Sequence, residues 1–201
     1  MRYACMLIAI ALVGCSSKPD SKAMEEKIAA SMEALKNPRI YEKLDSATLR
    51  EIPNTDLELA VFDYAASKLD GKNDRQILMG LSPGVRALYL TWVVEAEVNN
   101  GGFNQYYFNT EGAFAPDAVD AFEFFGATQL AALMREANAV REAEEKAMAK
   151  FKDAKTLEAF LESYEETKLG PLDDRFIELS EKLTELRVAR IRQTPELFEG
   201  Q

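Results

Sequence analysis

A chain of 201 residues with 47% hydrophobic content has the size of one compact domain and enough apolar side chains to bury a core. Its 24 basic and 34 acidic residues leave a net charge of −10, which argues against nucleic acid as a partner, because phosphate contacts need basic groups. There is no histidine, and both cysteines, Cys5 and Cys15, lie at the extreme amino terminus, so histidine triads, thiol nucleophiles and histidine or cysteine zinc sites are excluded from the body of the chain.

The amino terminus has the pattern of a secretion signal. Arg2 supplies a positive charge, Met6 to Val13 form an apolar run too short to span a bilayer, and Leu12-Val13-Gly14-Cys15 resembles the lipobox of bacterial lipoproteins. The expectation is a signal peptide over residues 1–14, a diacylglyceryl group on Cys15, and a polar, lipidated tether over 15–21. Several acyl chains, each contributing about 0.8 kcal/mol per buried CH₂, would hold the protein to a membrane. Ser16 after the cysteine favours the outer membrane, facing the periplasm, if the cell is Gram-negative. Cleavage also removes Arg2, moving the charge from −10 to −11.

Residues 22–201 are expected to form a single helical domain. Met24, Ile28, Met32 and Leu35 mark one stripe of a helix over Lys22 to Lys36, stopped by Asn37-Pro38. Ile40 to Ile52 is a weaker helical region ended by Pro53. Thr55-Asp56-Leu57-Glu58 fits a capping box opening a helix to about Leu69, with Gly71 as its C-cap. Ser82-Pro83 suits an N-cap followed by proline at the first helical position. From Val85 to Val98 the helix is apolar almost all round, which marks a buried central helix over about 83–100. Phe103 to Asn109 adds one or two turns. Pro116 opens a helix through Phe125, and Gly126 separates it from a helix over Thr128 to Ala149, whose second half alternates charge. Thr156 to Lys168 follows, with Leu157, Phe160, Leu161 and Tyr164 facing in. After the break at Leu169-Gly170-Pro171-Leu172, Asp173 to Gln193 reads as one last long helix, with Phe176, Leu179, Leu183, Leu186 and Ile191 as core positions. No alternating β pattern stands out. The fold class is all-α, a compact multi-helix bundle around the buried central helix.

The densest chemistry lies in Val98 to Thr110, an uncharged run in a chain whose residues are 29% charged. Asn99, Asn100, Asn104, Gln105 and Asn109 offer amide donors and acceptors, Phe103, Tyr106, Tyr107 and Phe108 offer rings, and Gly101-Gly102 lets the backbone turn. Two readings follow. The run is an internal scaffold that ties helix ends together, or it lines a neutral pocket for a peptide or sugar, with Gln105, Tyr106, Tyr107 and Asn109 in the lining. Glu95 shares a helix face with Asn99 at i,i+4, whereas Glu95 and Glu97 do not share one. In so apolar a helix at least one of these glutamates is expected to be partly buried, accepting N–H bonds from the corner or serving as a general base. Asp70-Gly71-Lys72-Asn73-Asp74 lacks the ligand spacing of a calcium loop and reads as a turn. No metal or cofactor is expected.

The same residues carry a resemblance. Val98-Asn-Asn-Gly-Gly-Phe-Asn-Gln-Tyr-Tyr-Phe-Asn109, Gly126-Ala127 after an aromatic helix, and Leu172-Asp-Asp-Arg-Phe176 resemble the DNA-mimic-protein C-terminal domain family, long catalogued as a domain of unknown function. The resemblance spans about 57–198 and implies a compact helical domain. One characterised kind of member is an acidic dimer that mimics DNA and occupies the DNA-binding surface of a transcription repressor. Helix carboxylates three or four residues apart have Cβ atoms about 5–6 Å apart, of the order of the phosphate spacing along a strand. Glu142, Glu145, Glu162, Glu165 and Glu166 have this spacing, while Arg141, Lys146, Lys150, Lys152 and Lys155 interrupt the field.

Three functions are therefore expected in order. The first is a lipid-anchored envelope protein whose domain binds another protein without catalysis, with a homodimer as one form it can take. The second is an acidic DNA mimic or immunity-type inhibitor of a basic partner. The third is a carboxylate-dependent enzyme using Glu95 or Glu97 beside Asn99, Asn100, Gly101, Gly102, Phe103, Gln105, Tyr106 and Asn109.

Overall fold

The computed structural model describes residues 41–154 and 156–200. The signal peptide, Cys15, the tether and the helix expected over Lys22 to Lys36 lie outside the described residues. The described chain forms α1 (Ser46–Glu51), α2 (Asn54–Lys68), α3 (Asp74–Gly80), α4 (Pro83–Thr110), α5 (Ala115–Phe124), α6 (Thr128–Ala154), α7 (Leu157–Glu166), α8 (Gly170–Ser180) and α9 (Leu183–Gln193), then a 3₁₀ turn, Pro195–Phe198. Among the described residues the only β pairing is a single antiparallel bridge, Leu44 with Gly200. The protein is all-α.

The long helix α4 is the axis. Its first half feeds one apolar core, where Val85 and Leu88 meet Leu57, Val61 and Tyr64 of α2, Ile191 of α9 and Phe198 of the terminal turn. Its second half feeds the other, where Val94, Val98, Phe103, Tyr106 and Tyr107 meet Phe122 of α5, Leu133 and Met134 of α6, and Leu172 and Phe176 of α8. The helix is broken at the glycine pair. Gly101 (φ −162°, ψ 31°) and Gly102 (φ 70°, ψ −179°) are non-helical, so 83–100 and 103–110 are two helices joined at a corner.

Several boundaries differ from the sequence expectation, each for a local reason. Pro53, with extended φ and ψ, takes the N-cap position of α2, so Thr55 falls inside the first turn and the capping box does not form. The Thr55 hydroxyl instead donates to Asp56 (2.9 Å), and Glu58 serves α9. Helix α2 stops at Lys68 on an extended Leu69, leaving Gly71 in the following turn rather than at a C-cap. Among the described residues before Pro53, Ser46–Glu51 is the helical stretch, and α3 was not anticipated. Pro83 does open α4, but the Ser82 side chain makes no capping bond. The last long helix is two helices, parted at Glu181–Lys182. Phe176 and Leu183, on either side of the break, enter one core, and Ile191, two turns further along α9, enters the other. Leu161, Tyr164 and Leu186, expected inside, are 57%, 37% and 36% exposed.

Candidate functional site: a polar corner and a buried guanidinium

Breaking α4 at the glycine pair leaves the N–H groups at the start of 103–110 without partners in their own helix. Asp173 of α8 supplies one from across the fold, its carboxylate accepting the Phe103 N–H at 2.8 Å. On the other side of the break, the Tyr164 hydroxyl of α7 donates to the Gly101 carbonyl at 2.6 Å. The amides expected to organise this corner do so selectively. Gln105 Nε2 and Asn109 Nδ2 both donate to Glu97 Oε2, at 2.7 and 2.8 Å, and Glu97 is only 7% exposed. Asn104 donates to the Ser163 hydroxyl at 2.8 Å, which in turn donates to the Phe160 carbonyl at 2.6 Å. Asn99 and Asn100 face solvent.

Three of the four aromatic residues of the run belong to the core, and Phe108 is half-buried against Phe160. Phe103, Tyr106 and Tyr107 are buried, and the edge of Phe103 meets Phe176 at 5.6 Å between centroids. Tyr107 donates to Asn138 Oδ1 at 2.7 Å, and Asn138 donates to the Ala115 carbonyl at 3.0 Å, which fixes α4 to the α5 start through α6. Burial pushes both tyrosine hydroxyls far above their ordinary pKa. The buried Tyr106 hydroxyl finds no hydrogen-bond partner among the described residues.

Burial also raises the Asp173 pKa, partly offset by the Phe103 N–H it accepts, with the neighbouring Asp174 charge adding to the rise. Glu95 takes no part in the corner. Its Oε2 accepts from Arg187 Nη1 at 2.6 Å, and Glu58 Oε1 accepts from the same nitrogen at 3.0 Å. Arg187 Nε donates to Thr91 Oγ1 at 3.1 Å, and the guanidinium, 1% exposed, binds α2, α4 and α9 together at one point. A buried guanidinium requires such partners, since an unpaired buried charge is costly.

The two glutamates are therefore separated by function. Glu97 anchors two amides of the corner, and Glu95 neutralises a buried cation. Neither combines with the other, and the carboxylate that holds the corner backbone is Asp173. Sequence reasoning missed Asp173, Tyr164, Asn138 and Arg187. Asp173 lay in view within Leu172-Asp-Asp-Arg-Phe176. Arg187 had a signal too, because Leu183, Arg187 and Ile191 recur at i, i+4, i+8 and place a charge on a buried stripe.

The Asp70 turn behaves as expected. The Asp70 carboxylate accepts the Lys72 and Asn73 N–H groups at 2.8 and 2.7 Å, while Asp74 accepts those of Asp70 and Gly71 at 3.0 and 2.7 Å. Both carboxylates are spent on backbone. No group of three or more potential metal ligands occurs among the described residues.

A family model described as DMP19-like protein matches residues 79–194. The match holds the glycine corner, Asp173 and Arg187, and runs from the end of α3 through α9. The chain belongs to the DMP19-like family. This is the DNA-mimic family read from the Asn-Asn-Gly-Gly-Phe run and the Leu-Asp-Asp-Arg-Phe segment, and the match begins later than the expected residue 57. In this DMP19-like protein α2 precedes the matched region, yet it joins the matched part through Glu58 and Arg187. No curated protein and no solved structure matched the chain.

Proposed function

We propose that this DMP19-like protein is a protein-binding module without catalysis, held in the bacterial envelope by lipid on Cys15. One contrast carries the reading. The carboxylates at the corner, Asp173 of α8 included, are consumed by internal bonds, while those of α7 and the remaining ones of α8 are exposed around apolar side chains. On α7, Glu158, Leu161, Glu162 and Glu165 recur at i, i+3, i+4, i+7, and all are exposed. On α8 and its C-cap, Asp174, Ile177, Glu178 and Glu181 repeat the spacing and are also exposed. Leu161 and Ile177 are 57% and 52% exposed. An apolar contact ringed by negative charge suits a basic protein surface, with burial supplying affinity and the charges supplying orientation.

The interrupting basic residues lie mostly on α6, from which Lys150 reaches Glu166 of α7 at 2.7 Å. Helix α7 contains no lysine or arginine, and Arg175 of α8 is paired with Glu136 at 2.8 Å. That leaves a negative field compatible with the DNA-mimic mode, in which a basic partner surface is met by carboxylates at helical spacing. The envelope placement rests on the lipobox alone, and it directs the search for a partner toward the periplasm.

The test uses a photo-cross-linking residue at Leu161 or at Ile177 in cells producing the lipidated protein. The expected result is one discrete adduct of higher mass from either position, lost when Glu158, Glu162 and Glu165 are changed together to lysine. Absence of a discrete adduct at both positions would contradict the proposal.

A further inference from the structure

Phe108, Phe160 and Tyr164 form a row of rings that leads from the corner to the surface. Phe108 lies 4.7 Å from Phe160 between centroids, and Phe160 meets Tyr164 at 5.1 Å in a T-shaped arrangement. The first two are half-buried, and Tyr164, at the end of the row, is 37% exposed. Its hydroxyl is already engaged, donating to the Gly101 carbonyl at 2.6 Å. The ring is therefore held by Phe160 and by the corner, and has little rotamer freedom left to lose when another molecule meets it. A fixed aromatic side chain of this kind supplies contact area at low entropic cost, which is why tyrosine is common among the anchors of protein interfaces.

The surroundings of the ring are acidic. Leu161 stands one turn before Tyr164 on the same side of α7, 57% exposed, and Glu158 and Glu165 lie at i−3 and i+4 from Leu161. Asp173 of α8 approaches from across the corner. Burial raises the pKa of the Tyr164 hydroxyl, and the charges of Asp173 and Glu97 raise it further. Helix α7 has no lysine or arginine, and Lys168 comes only after its end. Elsewhere the chain places its own cations over rings, at Tyr64, Tyr107, Phe114, Phe124 and Phe151. Among the described residues none lies over Tyr164.

We infer that Tyr164 takes an arginine side chain of the basic partner, its aliphatic stem on Leu161 and its guanidinium plane on the ring, and so makes the acidic face select arginine over lysine. This deepens the protein-binding reading given above and rests on it. Carboxylates at helical spacing attract any cation and distinguish the two poorly. A ring does distinguish them, because a guanidinium is planar and weakly hydrated and stacks on aromatic faces, whereas an ammonium is compact and strongly hydrated. The exposed leucine beside the ring suits the same occupant, since long basic side chains cover apolar surface with their stems. A second copy meeting this face would instead set Glu158, Glu162 and Glu165 against their own like charges.

The experiment uses the full chain with Cys15→Ser and two end-blocked probes of equal charge, hexa-arginine and hexa-lysine, titrated calorimetrically at low ionic strength. Hexa-arginine should bind about 2–5-fold more tightly, the range expected for a cation over an exposed ring. Tyr164→Leu should remove that preference and leave hexa-lysine affinity nearly unchanged. Tyr164→Phe loses the same bond to Gly101 but keeps the ring, and should retain the preference; circular dichroism checks that both variants fold. A second measurement needs no variant. In the otherwise unsubstituted protein, the Tyr164 ring protons should show nuclear Overhauser contacts to arginine side-chain protons of the bound peptide. Equal affinities for the two peptides, a preference that survives Tyr164→Leu, or no contact to the ring would overturn the inference. The acidic-face reading is judged separately, by hexa-lysine: binding that is lost when Glu158, Glu162 and Glu165 become lysine upholds it, and failure of both peptides to bind would remove it and the inference together.

Discussion

At the scale of single residues, the corner distinguishes two glycines that look alike in the sequence. Gly102 has φ +70° with ψ near 180°, a region essentially closed to side chains, and a Cβ there would lie 2.2 Å from an Asp173 oxygen. Gly101 has an extended φ, and its Cβ would meet chiefly the flexible end of Gln105, at 2.3 Å. Gly102→Ala should therefore cost about 2–4 kcal/mol, from strain and loss of the Asp173 bond, and clearly more than Gly101→Ala. Denaturant melts of the two variants check this; equal losses would refute it. Asp173 has its own signature. Its pKa is raised in the folded chain from the ordinary 3.8, so the folded state holds that proton more tightly than the unfolded chain does. The stability this confers is fully present below the unfolded value and is lost as pH rises through the folded one. Asp173→Asn keeps an acceptor for the Phe103 N–H and abolishes this loss. Its stability should fall less than wild type's as pH climbs from 3 to 7. Asp173→Ala strands the Phe103 N–H and should cost about 1–3 kcal/mol throughout that range.

At the scale of elements, what the sequence revealed and what it hid follow a physical line. Helices that bury one stripe were legible from spacing. The central placement of α4 and the start of α5 after Gly112 followed from apolar periodicity and proline position. What could not be read were the bonds between distant segments. Glu58 fits a capping box on local grounds, but Arg187 takes it, 129 residues further along the chain. The break between α8 and α9, at Glu181–Lys182, has no glycine or proline to announce it in the sequence. The corner was partly legible. The glycine pair and the amides announced a turn, and Gln105 and Asn109 both donate to Glu97. Its closing groups, Asp173 and Tyr164, lie about 60–70 residues away on other helices. The Arg187 junction gives the element-scale prediction. Arg187→Leu leaves Glu58 and Glu95 facing each other without a cation, and should cost about 3–5 kcal/mol. Replacing Glu58 and Glu95 by glutamine in that variant should recover part of the loss. Thermal unfolding of the single and triple variants measures both effects, and a single variant as stable as wild type would show that the cluster does not join α2 to α9.

At the scale of the whole molecule, two kinds of carboxylate divide the labour. Glu95, Glu97 and Asp173 hold helices together, and the exposed acids of α7 and α8 are those that the proposed binding mode uses. Substituting Glu97 with glutamine should weaken the fold without abolishing partner binding at neutral pH, provided the domain stays folded by circular dichroism. Lysines at Glu158, Glu162 and Glu165 should do the reverse, leaving the melting temperature within a few degrees and removing binding, since surface charges contribute little to stability. Cys15→Ser should release the protein from membranes with its fold unchanged, and fractionation with a melting curve on the released protein checks both halves. The most direct measurement of the central claim is photo-cross-linking at Leu161 and Ile177 in intact cells. The account predicts one discrete protein adduct that disappears with the triple lysine substitution and persists with Glu97→Gln. An adduct abolished by Glu97→Gln in a folded domain, but untouched by the lysines, would place function at the corner and contradict it.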